Sequence, residues 1–359
     1  MLFDPYKLKD TILRNRIVMA PMTRNMSPGG VPPKEVIDYY ERRAKGEVGL
    51  IITEGIEVSH KASSAYPDVP RLDTKDARDA WKKVVEAIKK QNGSVVAQLW
   101  HCGGFRKLGM APEPEVPGHT ASGLVRPGKR VAHAMSLEDI NETIEAFASD
   151  AKFCEEIGFD GVEIHGAHGY LIDNFFWNGT NEREDMYGGS TEGRSQLATE
   201  IVKAIRSEVS NKFIVGLRFS QWKQQDFEAK LASSPEELKN LLAPPTKAGL
   251  DYLHSSMRRF WESEFSGSEE NLAYWTKKLL GLPTISVGSV GLDSEFIDMS
   301  APASPTNINR AIEDINNSKY DMVAVGRALI SDPEWVIKMR EGRLQDVIPY
   351  TKEALFKLY

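Results

Sequence analysis

Eight short apolar runs, at 16–19, 49–53, 95–99, 161–164, 213–218, 252–255, 284–287 and 322–325, alternate along the chain with segments of helical period. Strands that follow one another through helices pair in parallel and bury both faces, so each run is apolar throughout. The intervening helices are bracketed by local signals. One follows Thr74 and carries Ala77, Trp81, Val84, Val85 and Ile88 on one face before stopping at Asn92-Gly93. A second opens at Ser136, with Asp139 three residues on, presents Ile140, Ile144, Phe147 and Ala151, and stops near Gly158. A third opens on Ser234-Pro235-Glu236-Glu237, a capping box with proline at the first helical position. Pro244-Pro245 is expected to break that helix before the sixth strand.

Eight such units predict an α/β fold, a single (β/α)8 TIM barrel over residues 1–359 with long loops on its catalytic face. A doubly wound sheet also alternates, but it wants a Gly-rich turn after its first strand. Here that strand runs into Ala20-Pro21-Met22-Thr23. No internal repeat or linker divides the chain. Segments 102–135, 165–194 and 291–309 are too long to be plain connections. The first two follow strand C-termini, where a barrel keeps its chemistry. The third reads as a surface insertion.

Composition narrows the partners. There are 45 basic and 51 acidic residues, a net charge of −6, and no basic block. Nucleic acid and anionic membranes are therefore not expected, and a small-molecule substrate is. The two cysteines, Cys102 and Cys154, show no metal or disulfide spacing and fit a reducing compartment, here the cytoplasm. The start of the chain has no apolar signal core, and no run approaches the ~18 residues of a membrane span.

The expected strand ends are polar or glycine-bearing: Pro21-Met22-Thr23, Glu54-Gly55, Gln98 with Trp100 and His101, His165 with His168 and Tyr170, Arg218, Gly288-Ser289, and Gly326-Arg327. Two imidazoles can hold a developing oxyanion and a phenol can deliver a proton. The same pair could be packing histidines or metal ligands, although two ligands on one loop are too few for a metal, and no metal site is expected. Glycines late in the barrel with an adjacent arginine suit a phosphate; alone they could be turn glycines. Arg218 could equally form a structural ion pair, and Trp100 could be core.

Six ordered motifs decide among these. They are Asn15-Arg16-Ile17-Val18-Met19-Ala20-Pro21-Met22-Thr23, Val96-Ala97-Gln98-Leu99-Trp100-His101 and Glu163-Ile164-His165-Gly166-Ala167-His168-Gly169-Tyr170-Leu171. They continue with Asn181-Glu182-Arg183-Glu184-Asp185-Met186-Tyr187-Gly188-Gly189-Ser190, Val215-Gly216-Leu217-Arg218-Phe219-Ser220 and Val325-Gly326-Arg327-Ala328-Leu329-Ile330-Ser331-Asp332-Pro333. Together they resemble the old yellow enzyme family of FMN-dependent ene-reductases along nearly the whole chain.

The resemblance implies FMN as cofactor and NAD(P)H as electron donor. Pro21, Met22 and Thr23 would border the flavin, Gly55 would pass close to its ring, and Gln98 would pair with its pyrimidine edge. Arg218 would sit by N1 and O2, and Gly288, Ser289, Gly326 and Arg327 would take the phosphate. His165 and His168 would hold the electron-withdrawing oxygen of an enone, enal, maleimide or nitro compound. Flavin N5 would give hydride to the β-carbon, and Tyr170 would protonate the α-carbon. Trp100 and Phe260 would line the substrate pocket, whereas Arg183 and the turn after it would be scaffold. Thr23 stands where one branch of the family has cysteine. The chain is expected to lack the iron–sulfur and dinucleotide domains of larger relatives, and to be a monomer or homodimer. Two alternatives stay open: an oxidative FMN dehydrogenase of the amine- or N-demethylating type, and a flavin-binding protein without turnover. A non-redox aldolase or lyase barrel would want a lysine at a strand end, and none stands at the ends expected from the apolar runs.

Overall fold

The computed structural model describes residues 1–295 and 302–359. Eight parallel strands close into one barrel: β1 (Ile17–Met19), β2 (Leu50–Glu57), β3 (Val95–Trp100), β4 (Gly161–His168), β5 (Ile214–Lys223), β6 (Tyr252–Ser256), β7 (Thr284–Val287) and β8 (Met322–Val325), with β8 pairing back onto β1. One principal helix follows each strand: α1 (Lys34–Lys45), α2 (Lys75–Lys90), α3 (Leu137–Glu156), α4 (Gln196–Glu208), α5 (Pro235–Lys247), α6 (Leu272–Leu280), α7 (Asn309–Asn316) and α8 (Trp335–Arg340). The expected α/β barrel is the fold observed.

The period of two sorts each strand between two cores. Val18, Leu50, Ile52, Val96, Ile214, Tyr252, Ile285 and Met322 fill the barrel, while their neighbours Ile17, Ile51, Val95, Val215 and Leu253 meet the helices outside. An antiparallel hairpin, Tyr6–Leu8 with Thr11–Leu13, sends Leu8 and Leu13 into the inner cluster and closes the N-terminal end of the strands. The helix signals act as anticipated. Thr74 Oγ1 accepts from Ala77 N, Ser136 and Asp139 form a reciprocal capping box, and Ser234 Oγ accepts from Glu237 N. On α2, Trp81, Val84 and Ile88 are fully buried.

The expected break at Pro244-Pro245 does not occur. α5 runs through both prolines to Lys247. They fall in its last turns, where the Asn240 and Leu241 carbonyls lose their helical donors, yet Ala248 N still reaches Pro244 O at 3.0 Å and closes the helix. Leu238, Leu241 and Leu242, all buried, hold the helix to the barrel regardless. β4 and β5 overrun their apolar segments and reach His168 and Lys223, which pair with one another beyond a bulge. Segment 102–135 carries two small strand pairs, His119–Thr120 with His133–Ala134 and Leu124–Arg126 with Lys129–Arg130. The expected surface insertion at 291–309 is tied in instead: Leu292 bridges Pro305 and Ala303 bridges Tyr350. Its residues 296–301 lie outside the described residues. Among the described residues no helix is long and apolar enough to cross a membrane.

Candidate active site

At the C-terminal ends of the strands lies a cavity of about 330 Å³. Inward-facing positions continue past the apolar layer and turn polar there: Gln98 on β3, Glu163 and His165 on β4, Arg218 on β5, and Tyr252, His254 and Ser256 on β6. Glu163 is wholly buried. It accepts from Gln98 Nε2 at 2.8 Å and Tyr252 Oη at 3.0 Å, with His254 Nδ1 at 2.8 Å. Burial opposes its ionisation, but His254, Arg218 and Gln98 outweigh burial and keep it a carboxylate. Because Gln98 gives its amide N–H to Glu163, its side-chain carbonyl is left for a donor in the cavity that it lines.

Arg218 pairs in register with His165 across β4 and β5. Desolvation lowers its pKa to about 10, so it stays cationic at neutral pH. It donates to Ser256 Oγ at 3.1 Å, and that hydroxyl lies 2.8 Å from His168 Nε2. Burial and Arg218 together push the His165 and His168 imidazoles well below their usual range, so both are neutral. Their rings meet edge to face with centroids 5.4 Å apart. His165 Nδ1 accepts from Ala167 N at 3.3 Å, which puts its proton on Nε2 as a donor. His168 adopts a positive φ of 64°, sparsely populated for a side-chain-bearing residue. That turn is held from below by Asp173 and Lys223, a fully buried pair 3.0 Å apart. Asp173 also accepts from Gly169 N at 2.6 Å, and Lys223 donates to the Ser220 and Gln221 carbonyls.

Tyr170 stands 5.0 Å from His165, ring to ring, with Trp100 edge-on at 4.8 Å. Burial pushes its phenol well above 10, so it holds its proton. Its Oη lies 3.2 Å from Tyr66 Oη and accepts from Gln224 Nε2 at 2.9 Å. Trp222 stacks on His168 at 4.4 Å.

At the far end, Arg327 Nη2 donates to Ser289 Oγ at 3.2 Å and to Ser294 O at 2.7 Å. Arg327 Nη1 and Arg218 Nε are buried donors with no partner. Two unsatisfied guanidinium N–H groups in one cavity wall call for an anionic, acceptor-rich ligand. FMN would satisfy them, with its phosphate toward Arg327 and its pyrimidine edge toward Gln98 and Arg218. Ser289, at φ 54°, is another strained residue beside that end.

Of the residues expected in the site, Pro21, Met22, Thr23, Gln98, Trp100, His165, His168, Tyr170, Arg218, Gly288, Ser289, Gly326 and Arg327 all line this cavity. Two do not. Phe260 is 6% exposed and packs in the outer core, with its N–H on Gly288 O. Gly55 pairs with Gln98 and is covered by Trp100, whose ring would lie 2.5 Å from an added Cβ. Its missing side chain makes room for Trp100. Gly288 lines the cavity, but a Cβ there would strike Phe260 N at 2.8 Å and Met257 O at 2.9 Å, so backbone packing already requires glycine. Arg183 is scaffold: it pairs with Asp185 and donates to the Ala121 and Met135 carbonyls. Cys102 is buried against Glu57, which together with desolvation raises its thiol far from reactivity. Ser256, Tyr66, Trp222 and Gln224 went unread in the sequence. Ser256 alone had a signal, two residues beyond His254 on the inner face of β6.

Residues 1–346 match the model of the NADH:flavin oxidoreductase / NADH oxidase family. The chain belongs to that family. It is thus a member of the old yellow enzyme group of oxidoreductases. An NADH oxidase of Thermoanaerobacter brockii is 32% identical over 357 residues, covering 96% of this chain and 52% of that protein, so the chain spans about half of that relative's length. The 12-oxophytodienoate reductase 2 of Arabidopsis thaliana is 37% identical over 264 residues, 70% of this chain and 69% of the relative. Among solved structures, morphinone reductase in complex with tetrahydroNAD superposes with a TM-score of 0.82 at 26% identity, covering 99% of this chain and 93% of that one.

Proposed function

We propose that this flavin oxidoreductase binds FMN in the described cavity, takes electrons from NAD(P)H, and reduces carbon–carbon double bonds conjugated to a carbonyl or nitro group. One observation carries the reading: two neutral imidazoles and a protonated phenol converge on a cavity that also presents unpartnered guanidinium N–H groups. Bound FMN would supply the hydride chemistry, accepting from the nicotinamide and donating to the alkene β-carbon. Pro21, Met22, Thr23, Gln98 and Arg218 would hold its ring, and Ser289, Gly326 and Arg327 its phosphate.

The protein's own part is acid and electrostatic. His165 and His168 donate N–H groups to the substrate oxygen and draw charge onto it as hydride arrives. Neutral donors suit this, since they polarise without surrendering a proton. Ser256 lets Arg218 act on the far nitrogen of His168 and steadies the ring. Tyr170 protonates the α-carbon; its phenolate would be costly in this buried setting, and Tyr66 lies within reach to restore the proton. Trp100, Trp222 and Tyr66 give the cavity an aromatic lining. The relatives described as 12-oxophytodienoate reductase and as NADH oxidase are consistent with this chemistry.

Anaerobic stopped-flow measurements separate the half-reactions. Reduction by NADPH or NADH should bleach bound flavin, and 2-cyclohexenone or N-methylmaleimide should restore its colour. Reoxidation by oxygen alone, with no response to any enone, maleimide or nitroalkene, would leave the alkene-reductase reading without support.

A further inference from the structure

Segment 102–135 gathers a second set of imidazoles that the reaction does not use. His119 and His133 pair in register, their rings 4.8 Å apart, and His133 Nε2 lies 2.8 Å from Asp139 Oδ2 at the start of α3. One ligating atom from each of the three lies within 4.8 Å of the others. His60 extends the cluster, its ring 5.4 Å from His119 and its Nδ1 3.0 Å from His101 Nε2. Two features suit a cation. The Nδ1 atom of His119 is buried with no hydrogen-bond partner, in a residue 3% exposed. The Asp139 carboxylate is already oriented by Ser136 N and Oγ at 2.8 and 2.9 Å, as an outer shell orients a metal ligand. The Lys61 ammonium is paired to Glu142 at 2.8 Å. His133 has 42% of its side chain exposed, so an ion can enter from solvent.

We propose that His119, His133 and Asp139 bind one divalent transition metal of the zinc class, which ties segment 102–135 to the start of α3. Two imidazoles and a carboxylate are a borderline donor set that suits zinc and excludes calcium or magnesium, and three protein ligands leave a fourth position for water. The ion would brace the substrate side indirectly, because Ala121 N and Leu124 O are hydrogen-bonded to Asn174 in the helical turn after Tyr170.

The test is calorimetric titration of EDTA-stripped, FMN-loaded protein with zinc chloride. One equivalent should bind, with a rise in melting temperature. His133→Ala, at a half-exposed position, and Asp139→Asn, which keeps an acceptor for the helix cap, should each weaken binding at least tenfold with flavin content unchanged. His165→Ala/His168→Ala should bind zinc as the parent does. Cobalt(II) should give absorption bands to the red of the flavin that vanish in His133→Ala. No saturable binding, binding that survives His133→Ala, or binding lost only in the His165→Ala/His168→Ala variant would overturn the proposal, the last by placing the ion at the substrate clamp.

Discussion

His165 and His168 matter because they are donors that stay neutral. Burial and the Arg218 cation keep them so, and removing a preorganised donor of this kind typically costs ~10²–10³ in turnover. His165→Ala/His168→Ala should keep FMN, lose the long-wavelength band formed with a bound phenol, and lose at least ~10²-fold in enone reduction. Titration with p-hydroxybenzaldehyde checks this; a band of unchanged affinity would show that phenols are gripped elsewhere. Tyr170→Phe should slow the alkene half-reaction by ~10²-fold and leave flavin reduction by NAD(P)H within about twofold, as expected of a lost general acid. Slowing in the nicotinamide half-reaction instead would contradict its role. Arg327→Ala removes the guanidinium at the far end of the cavity and should weaken FMN binding by about 1.5–3 kcal/mol, tenfold or more, in a fluorescence titration. Unchanged retention would move the phosphate away from Arg327.

The strand ends carry a different kind of prediction. β4 and β5 overrun the apolar core by several residues, and the Asp173–Lys223 pair, fully buried, fixes the overhang. Removing one partner of such a pair typically costs about 3–5 kcal/mol because the other is left uncompensated. Lys223→Met should therefore lower unfolding free energy by about 3 kcal/mol, with Asp173→Asn added to it restoring part of the loss. Within β2, Glu54 is buried, accepts from Arg24 N at 2.9 Å and has one carboxylate oxygen without a partner. Desolvation raises its pKa from 4.5 to about 7. The fold thus favours the protonated form, so its contribution is complete below pH 4.5 and is lost as pH rises through 7. The shift corresponds to ~3 kcal/mol. Glu54→Gln should melt with the parent at pH 4.5 and above it at pH 8; a gap independent of pH would mean that the carboxyl is ionised throughout.

Much at this scale was legible in the sequence, and the gaps have physical causes. Hydrophobic period located all eight strands, because burial on both faces demands unbroken apolar runs. The same criterion ended β4 at 164 and β5 at 218, since the overhangs are polar and are held by each other and by Asp173 and Lys223. Trp222 and Gln224 lie on or just beyond the β5 overhang and were missed with it. Tyr66 sits in the loop after β2, where neither period nor cap points at the cavity. Phe260 was placed in the pocket on aromatic character alone, yet it faces the outer core. The prolines of α5 were read by local propensity, which tertiary packing overrode.

For the molecule as a whole, the barrel is a packed core with one polar end. Its inner layer is aliphatic up to the level of Gln98 and Glu163, and a hairpin closes the opposite end. Chemistry can therefore gather at one mouth alone, and whatever fills it must stabilise the barrel through β3, β5, β7 and β8 together. A ligand that binds only the folded state stabilises it by about 4 kcal/mol at a thousandfold excess over its dissociation constant. FMN-depleted protein should consequently melt several degrees lower and regain its melting temperature with added FMN but not riboflavin, if Arg327 and Ser289 grip the phosphate.

The most direct measurement is a visible-absorption titration of the FMN-depleted chain with FMN, followed anaerobically by NADPH or NADH and then by an enone. One FMN per chain should bind with a perturbed spectrum, bleach on addition of nicotinamide, and recover in proportion to the enone added. A chain that stays colourless in excess FMN, or whose bound flavin no nicotinamide can bleach, would contradict the flavin oxidoreductase reading at its base.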